Sequence, residues 1–97
     1  MQENSFVEQR REHRQRVIKG GTIIAGLNQS EIGCVLRNQH SGGAELKVGP
    51  EAHIPASFLL YVPTDGLAYR CDVRWRRNDR VGVRFTGIEP KPQRHYG

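Results

Sequence analysis

The sequence predicts an all-β fold, a small six-stranded antiparallel barrel with a flexible N-terminal arm and C-terminal tail. Three observations carry that expectation. Short segments alternate apolar and polar residues with a period of two, turn-forming residues separate them, and no segment shows a convincing helical period. Closing such strands into a barrel removes the edges that a flat sheet would leave open. At 97 residues, the chain can build one domain around one small core.

The first strand is read over Val17 to Ala25 (VIKGGTIIA) and the second over Ser30 to Asn38 (SEIGCVLRN), with GLNQ between them as a hairpin-length turn. In the second, Ile32, Cys34 and Leu36 oppose Glu31, Gly33 and Arg37. The third, Gly43 to Val48 (GAELKV), sets Ala44, Leu46 and Val48 against Glu45 and Lys47, the half-buried antiparallel pattern. Gly49 to Ser57 (GPEAHIPAS) has two prolines and reads as a loop with room for one helical turn after Pro50. Phe58 to Val62 (FLLYV) is the fourth strand, followed by the turn PTDG.

The fifth strand, Leu67 to Arg77, places Tyr69, Cys71, Val73 and Trp75 inward and Arg70, Asp72, Arg74 and Arg76 outward. After the turn Asn78-Asp79, the sixth runs from Arg80 to Phe85, with Val81, Val83 and Phe85 on the apolar phase. The tail EPKPQRHYG carries two prolines and little apolar surface. The expected organisation is thus a lead over residues 1–9, a barrel domain with its arginine arm over 10–88, and a flexible tail over 89–97.

A formal charge of +5 arises from twelve arginines and only three lysines. Arginine offers a planar fork of donors matched to phosphate and to guanine edges, so this bias favours an anionic partner held by direct contacts. No apolar run approaches the roughly 20 residues of a membrane-spanning helix, and MQENSFVEQRR has no signal-peptide apolar region. A cytoplasmic protein without membrane insertion is expected. Cys34 and Cys71 fall on apolar phases and read as reduced core residues.

Enzymatic chemistry is not expected, nor is a metal or cofactor. His40 and Ser41 are adjacent and no oriented acid accompanies them, whereas a nucleophile needs a positioned base. His13, His40, His53 and His95 lack ligand spacing, and no Gly-rich phosphate loop precedes a helix. Two other features stand out. QRREHRQRV has four arginines in nine residues, and Asn38-Gln39-His40-Ser41-Gly42-Gly43 joins the second and third strands with an amide, a hydroxyl and glycines. Together they could cradle a phosphorylated guanine, which a guanidinium can pair with, stack on and neutralise.

In these two motifs the chain resembles the PilZ domain family, whose members bind the bacterial second messenger cyclic di-GMP. The resemblance covers roughly Gln9 to Ile88. The family's RxxxR is matched by Arg10 and Arg14, the only register within QRREHRQRV with arginine at both ends, since Arg11 pairs with Gln15 and Glu12 with Arg16. Its (D/N)xSxxG maps onto Asn38, His40 and Gly43, with His40 standing where the family usually has serine and Ser41 one position later. The closing strands DVRWRR and VGVRF, with Trp75 and Gly82, are also similar to the family.

The resemblance implies a cyclic di-GMP receptor without catalysis, contacting its ligand through Arg10, Arg11, Arg14, Asn38, His40, Ser41, Gly42 and Gly43. Asn38 would orient arginine or guanine, and Gly43 would let the chain pass close to the ligand. Binding would order the arm over the barrel and change the surface seen by a protein partner, at about 1–2 kcal/mol per residue fixed. His40 in place of serine implies weaker or pH-sensitive binding. Two alternatives stand beside this reading. One is a PilZ barrel that has lost its ligand and acts as an interaction adaptor, favoured by His40. The other is a small basic nucleic-acid binder, disfavoured because Tyr69 and Trp75 fall on the inward phase.

Overall fold

A computed structural model describes residues 15–26 and 30–90, with only the backbone path given for residues 15–17. The lead and arm, the tip of the first hairpin and the tail beyond Pro90 lie outside the described residues. Among the described residues six strands form: β1 (Gln15–Ala25), β2 (Ser30–His40), β3 (Gly43–Lys47), β4 (Ser57–Val62), β5 (Leu67–Arg77) and β6 (Arg80–Pro90). All neighbouring pairs are antiparallel, and the order β1-β2-β3-β6-β5-β4 closes where β4 pairs with β1. The all-β barrel is as expected from the period-two patterning.

Hairpins join β1 to β2, β2 to β3, β4 to β5 and β5 to β6, so only the β3–β4 link crosses an end of the barrel. Arg76 holds that link. Its Nη1 donates to the Ala52 carbonyl at 2.8 Å and its Nη2 to the Pro50 carbonyl at 3.2 Å. Its Nε donates to Asn78, the residue that turns β5 into β6 with a φ of 56°. Asparagine tolerates that left-handed conformation better than most side chains.

The apolar phases meet inside the barrel. Ile23, Leu36, Leu46, Leu60, Val62 and Val81 are fully buried, with Cys34, Cys71 and Val83 packed among them. Both cysteines are free thiols in the core. A smaller cluster of Ile24, Tyr61 and Ala68, backed by Leu59, explains why TIIA and FLLYV are apolar on consecutive residues. Residues next to one another on a strand face opposite sides, so here both faces of β1 and β4 are apolar.

Two expectations are corrected. The last strand continues past Phe85 to Pro90, and Glu89 and Pro90 pair with Ala68 and Leu67 in β5. Pro90 sits at the strand end, where its missing N–H costs the ladder little. Trp75, expected inward, is on the outer wall and 42% exposed. The ladder between β5 and β6 shifts register between Val73 and Trp75, so Val73 pairs with Val83 and Trp75 with Gly82. A single extra residue, Arg74, reverses the phase of everything after it.

Candidate ligand-binding site

A second bulge on the other side of the sheet has the same effect. Between β2 and β3 the register shifts between Leu36 and Asn38. Leu36 pairs with Leu46 in the core, whereas Asn38 pairs with Glu45 and turns to the outer wall. Glu45 in turn pairs with Gly82, and Gly82 with Trp75. One lateral row, Asn38–Glu45–Gly82–Trp75, therefore crosses four strands on the outer face.

That row floors a groove of about 430 Å³ lined by Asn38, His40, Glu45, Arg74, Trp75 and Arg84, a volume suited to a small-molecule ligand. Gly82 has a specific part in it. A methyl group there would collide with the indole of Trp75, so the missing side chain lets the ring lie against the strand. The Arg77 guanidinium lies 5.4 Å from the ring centroid, within cation–π range. Among the described residues, no hydrogen bond or ion pair engages the guanidinium of Arg74 or Arg84.

Arg80 is committed elsewhere. Its Nη1 donates to Glu45 Oε2 at 2.5 Å, and Asn38 Nδ2 donates to Glu45 Oε1 at 3.0 Å. The Arg80 guanidinium, with Asn38, holds the Glu45 carboxyl below the usual carboxylate range against the opposing effect of burial.

The β2–β3 turn consists of Ser41 and Gly42. His40 closes it by accepting a hydrogen bond from the Gly42 N–H on Nδ1 at 3.1 Å, which leaves Nε2 as the donor of the neutral ring. His40 and Gly42 line the groove, and Ser41 lines a neighbouring pocket of about 380 Å³ that His40 also borders. Gly43 is buried, and a methyl group there would strike the Val83 carbonyl of β6. What requires glycine at this position is the approach of two strands. Arg10, Arg11 and Arg14 lie outside the described residues.

The second pocket is lined by a polar network. Lys19 Nζ donates to Gln39 Oε1 and to Asp65 Oδ1, each at 2.7 Å. Gln39 Nε2 donates to Asp65 at 3.1 Å and to the Tyr69 hydroxyl at 3.2 Å, and that hydroxyl donates to Asp65 at 2.5 Å. Tyr69 also stacks on Phe85 with centroids 4.2 Å apart, so its inward expectation holds. Burial alone would raise the Asp65 carboxyl, but Lys19, Tyr69 and Gln39 together keep it below its ordinary value. This network ties the end of β2, through Gln39, to β1 and β5 while Asn38 faces out.

Burial, and then Asp65, push the Tyr69 phenol up to about 12, and burial pushes the Cys34 and Cys71 thiols up to about 12. Folded values above the ordinary 9.0 and 10.0 mean that the stability these groups contribute is fully present below pH 9. It is lost as pH rises toward 12. The urea midpoint is expected to fall steadily between about pH 9 and pH 11. A midpoint constant over that range would contradict this picture of the core.

Sequence reasoning did not find Glu45, Arg74, Trp75 or Arg84. A usable signal was present in Gly82, because an isolated glycine within a strand pattern marks a bulge or a close approach. Among the described residues there is no cluster of groups suited to a metal ion and no helix long and apolar enough to cross a membrane. The PilZ domain profile matches residues 8–96, essentially the whole chain. The chain belongs to the PilZ domain family. This is a family of cyclic di-GMP-binding domains. No curated protein and no solved structure matches the chain significantly.

Proposed function

We propose that this PilZ domain is a cyclic di-GMP receptor that binds its ligand in the groove between the Asn38–Gly42 edge and Trp75, and signals through protein contacts. The observation that carries this reading is the row Asn38–Glu45–Gly82–Trp75, which sets a hydrogen-bonding amide and an exposed indole on one wall. An indole offers a face for a guanine base, and Arg74 and Arg84 offer charge to phosphates. Arg10 and Arg14 supply the remaining guanidinium contacts in this reading. No step in it is catalytic.

A nucleic-acid reading gains from the exposed Trp75, since an aromatic ring among arginines is also how single strands are bound. Calorimetric titration with cyclic di-GMP and with a short single-stranded oligonucleotide separates the two. Saturable dinucleotide binding, lost when Arg10 or Arg14 is replaced by methionine, supports the receptor. Tighter binding of the oligonucleotide, falling steeply with salt, supports the nucleic-acid binder. No binding of either at high micromolar concentration leaves an interaction adaptor.

A further inference from the structure

Asn38 is an amide with one oxygen and one nitrogen, and which of the two faces the groove decides what it can read. Its neighbour settles the question. The Glu45 carboxylate is acceptor-only, so the amide nitrogen must turn toward it, as the 3.0 Å contact records. Among the described residues, nothing donates to the Asn38 oxygen, and Asn38 lines the groove. Arg80 holds the other Glu45 oxygen, so the carboxylate is fixed from both sides.

We infer that Glu45 is a positioning residue that fixes the polarity of Asn38, so that the groove presents an acceptor at this point. This inference rests on the receptor reading above. An acceptor here receives an N–H donor, which guanine carries and a phosphate does not. Glu45 itself makes no contact with the ligand in this scheme.

The consequence runs against the simplest expectation from the (D/N) position of the family motif. An aspartate also presents acceptors, so Asn38→Asp would be expected to bind as well as the native chain. Here it places a second carboxylate within hydrogen-bonding distance of the first, and like charges so close repel. Glu45→Gln fails for another reason. Arg80 demands the new carboxamide oxygen, its NH₂ then faces residue 38, and Asn38 must rotate, turning its own NH₂ into the groove. Combining the two substitutions removes both faults. The introduced amide donates to the introduced carboxylate, whose second oxygen faces the groove as an acceptor.

Dissociation constants for cyclic di-GMP, measured by calorimetry on the full chain, test this. Each single variant should bind about tenfold more weakly, and the double variant should return to within about threefold of the native chain. In the free protein, the NMR signals of the Asn38 side-chain amide protons should move in Glu45→Gln. Additive losses in the double variant, or amide signals that do not move, would overturn the inference. If the native chain fails to bind at all, the receptor reading falls instead. The amide signals then decide the orientation of Asn38 on their own.

Discussion

Trp75→Ala is expected to weaken cyclic di-GMP binding by roughly 5- to 150-fold, the equivalent of about 1–3 kcal/mol for one stacked base. The indole is on the outer wall, partly exposed and seated on Gly82, so its removal takes away a binding face without opening the core. Trp75→Phe keeps an aromatic face and should retain most of the affinity. Calorimetry on both variants, with melting curves to confirm that each is folded, makes the comparison. Equal affinity of the alanine variant and the native chain would remove Trp75 from the site.

Gly43→Ala is expected to destabilise the barrel by about 3 kcal/mol, lowering the melting temperature by roughly 15 °C. The added methyl would meet a backbone carbonyl, that of Val83, which cannot swing aside as a side chain could. Relief requires β3 and β6 to part, and their pairing closes one side of the barrel beneath the groove. Gly42→Ala provides the control. Its methyl would approach only the His40 ring, at 3.3 Å, at an exposed turn, and should cost less than about 1 kcal/mol. Matching melting temperatures for the two variants would show that the close approach at Gly43 carries no constraint.

The six strands were legible because one side of each faces a dry core, and that imposes the period of two. Leu36, Leu46, Val81 and Cys71 could be placed from alternation alone, and all are buried. The site was less legible because bulges break that alternation. In DVRWRR the polar residues keep a regular spacing through Asp72, Arg74 and Arg76, so nothing in the pattern reveals that Arg74 is the extra residue. Alternation carried on from Val73 sets the ring of Trp75 inside, whereas the bulge turns it out.

Asn38 was found through its motif, not its phase, and its partner Glu45 was hidden for a related reason. Pairing across the two-residue turn sets His40 opposite Gly43, and counting back sets Asn38 opposite Glu45. That row becomes visible only once the turn is known to be Ser41 and Gly42. Gly43 was legible as a required glycine, while its reason was not. The atom it must avoid belongs to Val83, a strand far away in sequence. The arginine motif at Arg10 and Arg14 lies outside the described residues.

The chain contains one tryptophan, which makes the groove directly observable. The central claim is that two bulges bring Asn38 and Trp75 onto one wall, where the ligand stacks on the indole. Tryptophan emission followed during titration with cyclic di-GMP tests it most directly. The prediction is a saturable change in Trp75 emission, with the same midpoint as the heat of binding and absent when Arg14 is replaced by methionine. Binding heat without any change in emission would place the ligand elsewhere and contradict the claim.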